Sequence, residues 1–124
     1  MKDQNIDKTL DILHDGGLLK KIIKEGDGLI IPRDVTAVIH YTGRLQDGTV
    51  FDSSVERHNP FQFKIGRREV ILGWELGVAT MRKGEKCLLT CNSTYGYGKT
   101  EVGSIPGDST IEYEMELLSW DGQK

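Results

Sequence analysis

Long apolar runs, an excess of basic charge, paired cysteines and clustered metal ligands are all missing from this sequence, and each absence removes a class of function. No stretch approaches the ~20 consecutive apolar residues of a membrane-spanning helix. The first residues, Met1-Lys2-Asp3-Gln4-Asn5, lack the apolar centre of a secretory signal. Both features point to the cytoplasm or nucleus and away from a membrane. The formal net charge is -3, and the short basic clusters Lys20-Lys21, Arg67-Arg68 and Arg82-Lys83 are each offset by nearby acids. With no basic stripe interleaved with aromatics, nucleic acid is a poor partner for such a surface. Cys87 and Cys91 are the two cysteines. On a strand their Cα atoms lie roughly 13 Å apart, beyond the reach of a disulfide. A helix would bring them within a turn of each other, but Thr90, Asn92 and Ser93 favour a strand. Two free thiols agree with a reducing compartment. His14, His40 and His58 are widely separated, and two cysteines of one strand cannot complete a tetrahedral zinc set, so no metal or cofactor is expected. There is no nucleophile elbow and no Cys/His pair with an orienting partner.

What is present fits one domain of 124 residues. Hydrophobic residues at 37% and charged residues at 28% allow a packed core beneath a soluble surface. Fifteen glycines sit between the apolar runs and indicate many turns. Residues 1 to 15 are polar, with Ile6, Leu10 and Leu13 spaced for one face of a short helix or for a loose extension. The domain is expected to start after Gly16-Gly17, giving an N-terminal extension over 1–17, a folded domain over 18–120 and a tail over 121–124. Leu18 to Lys24 reads as a strand or a short helix. Val35 to Thr42 is rich in β-branched residues and reads as a strand. Asp47-Gly48 signals a hairpin turn. Phe61, Phe63 and Ile65 alternate with polar residues, and Cys87 to Asn92 reads as a further strand. The clearest strand is Thr110 to Leu118: Ile111, Tyr113, Met115 and Leu117 fall on one side and Glu112, Glu114 and Glu116 on the other. A sheet with one wet face is antiparallel more often than parallel. Val70 to Met81 is the one internal segment with helical spacing, at Trp74, Val78 and Met81, and Gly73 and Gly77 shorten it. The sum is an α+β domain.

Ser93 to Thr100 nearly matches a phosphate-binding loop, but Ser93 stands where the first glycine is required and Gly103 and Pro106 follow where a helix should start. Asn92-Ser93-Thr94 is a glycosylation sequon that matters only in the secretory pathway and is read as a chance occurrence.

Five blocks, IHYTGRLQDGTVFDSS (39–54), NPFQFKIG (59–66), EVILGWELGVATMRKGEK (69–86), TYGYG (94–98) and SIPGDSTIEYEMELL (104–118), together resemble the FKBP family of peptidyl-prolyl cis/trans isomerases, in family order and with family spacing. VATMRKGE and the leading DGGLLK resemble most closely the first FKBP domain of the large immunophilins that carry a tetratricopeptide region. The resemblance implies a five- to six-stranded antiparallel half-barrel wrapped around one short α-helix, with a ligand pocket between them. It carries over Tyr41 of HYTG, the pair Phe51 and Asp52, Phe61 of PFxF, Glu69 with Val70 and Ile71 before the helix, Trp74 as pocket floor, Tyr97 of YGYG and Ile105 before proline. Tyr113 stands where the family usually has phenylalanine. The loop from Lys99 to Ile105 is about one residue shorter than in the smallest members by this comparison, and Ser104 replaces a common aliphatic residue.

The implied activity is rotation of X-Pro bonds in proline-containing polypeptides, with Trp74, Phe61, Val70, Ile71 and Ile105 around the proline ring. Tyr97 and the Ile71 N–H would bind carbonyls. Tyr41, Phe51 and Tyr113 would surround the carbonyl before proline, and Asp52 would supply polarity directly or by orienting Tyr41. The macrolides tacrolimus and rapamycin are implied ligands of the same pocket in a monomeric protein, and calcineurin or a heat-shock chaperone complex are implied partners. The rival reading is an FKBP-fold docking module or co-chaperone domain with little catalysis. Asp52 beside Phe51 is harder to explain as core, because a buried carboxylate is costly without a partner.

Overall fold

The computed structural model of the protein describes residues 9–121. Alternation of apolar and polar side chains is carried through into strands. These are β1 (Thr9–Asp11), β2 (Leu18–Lys24), β3 (Thr36–Leu45), β4 (Val50–Ser53), β5 (Phe61–Lys64), β6 (Lys86–Cys91) and β7 (Ile111–Trp120). Among the described residues one helix, α1 (Leu72–Val78), lies between β5 and β6, and a single 3-10 turn covers Ser93–Tyr95. All seven strands join one sheet in the order β1-β2-β6-β7-β3-β4, and β5 pairs with β3. Every pairing is antiparallel. β4 takes the Thr42–Arg44 end of one β3 edge and β5 the Thr36–Ile39 end of the same edge. The opposite edge of β3 runs along β7.

β7 shows why the sheet has an inside. Ile111, Tyr113, Met115 and Leu117 are each no more than 1% exposed, while the glutamates between them reach solvent. On β3 the same alternation buries Ala37, Ile39 and Tyr41. The apolar face of α1, with Trp74 and Val78, completes the core beneath the sheet. Residues Asp47 and Gly48 form the expected turn between β3 and β4, with the Leu45 N–H donating to the Thr49 carbonyl at 2.9 Å and Gly48 at a φ of 93°.

The helix is shorter than the 70–81 span that its spacing suggests. Ile71 is extended, with ψ at 156°, and the last turn closes through i+3 bonds from Thr80 N–H to Gly77 and Met81 N–H to Val78. Met81 still packs in the core at 0% exposure although it lies beyond the helix. Gly73 and Gly77 weaken the helix for a packing reason. A Cβ on Gly73 would lie 2.6 Å from Cys91 Sγ, and one on Gly77 would lie 2.7 Å from Leu89 Cδ1, so glycine lets α1 approach β6 closely.

Two sequence expectations are corrected. The apolar spacing around Leu10, which suited a short helix or a loose extension, makes neither: Thr9–Asp11 pairs with Leu19–Lys21 as a strand of the sheet. Ile6, the first residue of that spacing, lies outside the described residues. Lys20 does not belong to a surface basic cluster either. It points inward at 2% exposure and its ammonium donates to Glu85 at 2.7 Å, with Thr80 Oγ1 at 3.0 Å and the Thr80 carbonyl at 3.3 Å. The other Glu85 oxygen accepts the Arg82 N–H at 3.1 Å. This dry ion pair ties β2 to the segment that leaves α1.

Breaking one side of such a pair strands the other charge. Lys20→Met is expected to destabilise the fold by ~3–5 kcal/mol in urea unfolding, and adding Glu85→Leu to recover most of that loss. A double variant no more stable than Lys20→Met alone would contradict this account of the pair.

Candidate functional site

The inner face of the sheet collects aromatic residues around Trp74. Its ring centroid lies 4.7 Å from Tyr41, 5.0 Å from Tyr113, 5.6 Å from Phe61 and 6.0 Å from Phe63. Three of these four contacts are edge-to-face, at interplanar angles of 63°, 84° and 79°. That geometry sets the positive edge of one ring against the negative face of another. The four neighbours come from β3, β7 and β5, so the helix supplies the tryptophan and the sheet supplies its walls.

A cavity of about 470 Å³ opens above this cluster. Trp74 and Tyr41 line it with Phe61 and Tyr113. Val70 and Ile71 close it from the segment before α1, Tyr97 from the loop after β6, and Asp52 and Glu69 from its rim. Two expected site residues lie outside that lining. Phe51 stacks edge-on to Tyr113 with centroids 5.7 Å apart. Ile105 is 5% exposed within the core, held by a tight turn in which the Val102 and Ile105 backbones exchange hydrogen bonds at 2.9 and 2.8 Å. The short Lys99–Ile105 loop thus folds on itself. Glu69 accepts the Lys64 N–H at 3.0 Å, which accounts for it as a brace of the loop before α1.

Tyr41 is held on both sides of its peptide by Ser54. The Ser54 hydroxyl accepts the Tyr41 N–H at 2.8 Å, and the Ser54 N–H donates to the Tyr41 carbonyl at 3.0 Å. The Tyr41 phenol donates to Asp52 Oδ2 at 2.5 Å and accepts from Arg57 Nη2 at 3.0 Å. Arg57 Nη1 also pairs with Asp52 Oδ1, and the guanidinium carbon lies 5.7 Å from the Tyr41 ring centroid. Asp52 is not a core carboxylate, since its side chain is 42% exposed. Burial pushes its carboxyl up, but the Tyr41 and Arg57 hydrogen bonds and the guanidinium charge outweigh burial and hold it below its ordinary value. Burial, aided by the bond to Asp52, raises the Tyr41 phenol.

Neither Arg57 nor Ser54 was singled out by sequence reasoning. The available signal was chemical: a site carboxylate needs a cation, and Arg57 is the first cation after Asp52 in the chain. An exposed pair of this kind contributes only ~0–1 kcal/mol to stability, so its role is to fix the Tyr41 hydroxyl rather than the fold.

Elsewhere the described residues hold no cluster of His, Cys, Asp or Glu that could ligate a metal. Cys87 and Cys91 are free and buried in β6, and burial pushes both thiols up to about 12, which removes them as nucleophiles. The segment after β6 makes a 3-10 turn capped by Asn92 and then further turns, with no helix behind it to hold a phosphate.

Because Asp52 has a lowered carboxyl, the stability it contributes is present above its unfolded value and lost as pH falls through the lower folded value. Arg57→Gln is expected to raise the Asp52 titration midpoint, read from carboxyl carbon NMR shifts, and so to move that loss to higher pH. An unshifted midpoint would contradict the coupling.

Comparison with known proteins agrees with this geometry. Residues 30–118 match the family model described as FKBP-type peptidyl-prolyl cis-trans isomerase. The chain is 48% identical over 116 residues to FK506-binding protein 59 of Drosophila melanogaster, covering 92% of this chain and 26% of that protein. It is 47% identical over 104 residues to peptidyl-prolyl cis-trans isomerase FKBP1A of Xenopus laevis, covering 82% of this chain and 96% of that one. With peptidyl-prolyl cis-trans isomerase FKBP4 of Homo sapiens it shares 43% identity over 111 residues, covering 88% of this chain and 24% of that one. The chain thus spans about a quarter of the length of the fly and human relatives and almost the whole of the frog relative. An antiparallel sheet over one short helix, an aromatic cavity between them and a family match across most of the sequence lead to one conclusion: the chain belongs to the FKBP-type peptidyl-prolyl cis-trans isomerase family.

Proposed function

We propose that this chain catalyses cis–trans isomerisation of X-Pro bonds in polypeptides by stabilising a twisted amide in the Trp74 cavity. The observation that carries the reading is the cavity itself, about 470 Å³ above the ring cluster of Trp74, Tyr41, Phe61 and Tyr113. Rotation about a planar amide meets a barrier of ~18–20 kcal/mol because resonance is lost at the top. A twisted amide is less polar than a planar one, so a water-poor apolar site favours it over the ground state. No bond to the protein is made or broken. Trp74, Phe61, Val70 and Ile71 hold the proline ring. Ile71 precedes α1, and its N–H stands outside the helical ladder, where it binds a substrate carbonyl. Asp52 and Arg57 fix the Tyr41 hydroxyl beside the reacting amide, so Asp52 acts through Tyr41.

The same cavity is suited to tacrolimus and rapamycin, a reading supported by the name FK506-binding protein that the fly relative carries. Association with calcineurin or a heat-shock chaperone complex extends the reading to the protein surface. A cytoplasmic or nuclear location keeps the free thiols Cys87 and Cys91 reduced.

In a coupled assay on an X-Pro peptide, the protein is expected to accelerate isomerisation, and Asp52→Val to slow it about tenfold, a loss of ~1.4 kcal/mol in barrier lowering. Rapamycin should quench Trp74 fluorescence in both proteins. Quenching without any acceleration by the unmodified chain would replace catalysis with a docking role.

A further inference from the structure

The two phenols on the cavity wall other than Tyr41 form a pair of their own. Tyr113 is 1% exposed and enclosed by the rings of Tyr41, Phe51 and Trp74. Gly43 packs so closely beside it that a Cβ there would stand 2.8 Å from Tyr113 Cε1. Those rings present edges and faces but no strong acceptor. A buried hydroxyl needs a partner for its proton, and the structure gives Tyr113 one, the Tyr97 hydroxyl at 3.4 Å. Burial, followed by the bond to Tyr97, raises the Tyr113 phenol well above its ordinary value, so it stays protonated.

Two hydroxyls share one hydrogen bond, which leaves one proton over. Both line the cavity, but Tyr113 is the drier member and has no acceptor among the rings around it, whereas Tyr97 is half-buried in the loop after β6. The third phenol, Tyr41, has already committed its proton to Asp52. We infer that the Tyr113 O–H donates to the Tyr97 oxygen and thereby turns the Tyr97 proton into the cavity. Tyr113 is then a positioning residue that makes Tyr97 the wall's donor to ligand carbonyls. Accepting a bond from Tyr113 also polarises the Tyr97 O–H and strengthens it as a donor. The pocket would on this account favour ligands that present a carbonyl at Tyr97 over apolar ligands of the same shape. The inference rests on the X-Pro reading, because a peptide flanking proline supplies such carbonyls.

A double-mutant cycle of Tyr97→Phe and Tyr113→Phe tests it, with KM and kcat for an X-Pro peptide and the thermal midpoint as readouts. Tyr113→Phe is expected to raise KM about threefold when Tyr97 is present. In the Tyr97→Phe background it should not move KM further. Tyr97→Phe alone should lower Tm by stranding the Tyr113 hydroxyl, and adding Tyr113→Phe should restore it. Equal KM factors in both backgrounds, or a Tm cycle in which the two changes simply add, would overturn the inference. Lack of catalysis by the unmodified protein would strike the isomerase reading instead, and the Tm cycle would still decide the hydroxyl pair.

Discussion

The close approach of α1 to β6 at Gly73 and Gly77 is the constraint from which the site follows. With no Cβ at either position, the helix sits deep under the sheet, against Cys91 and Leu89. Trp74, between the two glycines, is thereby carried into the space bounded by β3, β5 and β7. Its contacts with four other rings then fix the floor of the cavity. The arrangement has a cost. Trp74 Nε1 is, among the described residues, the buried side-chain polar atom without a hydrogen-bond partner, and an unmade bond of this kind costs ~1–3 kcal/mol. The rings packed around the indole offset it. The Lys20–Glu85 pair acts at the other end of the helix, holding Thr80 and so the exit of α1.

Above that floor the cavity wall carries two hydroxyl devices of different character. Tyr41 is tied to a charged, half-exposed carboxylate and guanidinium. Tyr97 and Tyr113 form a neutral pair that reaches into the dry interior. Electrostatic effects weaken with exposure, so the charged device is placed at the rim, where desolvation is least costly. The neutral device can be buried because phenols carry no charge to desolvate. In the proposed function they supply direction, and apolar contact supplies affinity.

Much of this was legible in the sequence because the local signals agreed with the final fold. The strict alternation of Ile111 to Leu117 fixed both the strand and its inner face, and Asp47-Gly48 marked the turn between β3 and β4. The aromatic cluster was reached through family resemblance rather than spacing, since strand-spaced aromatics are also ordinary core. What escaped was non-local. Strand β1 exists because Thr9–Asp11 meets Leu19–Lys21, and three residues carry no periodicity of their own. Lys20 reads as half of a basic pair until β2 turns it inward to a glutamate 65 residues away. Arg57 lies in a turn, where its role depends on how the chain folds back to Asp52. Ile105 was reached by its match to the family, and its short loop closes on Val102.

The central claim is that the Trp74 cavity, and no other surface, binds and twists the prolyl amide. It is tested most directly by titrating the isotopically labelled protein with an X-Pro peptide and following both partners by NMR. The account predicts amide shifts clustered at Tyr41, Phe61, Ile71, Trp74 and Tyr97, together with faster cis–trans exchange in the peptide. Shifts confined to the outer face of the sheet around Arg44, Lys86 and Glu114, or binding in the cavity with the exchange rate unchanged, would contradict it.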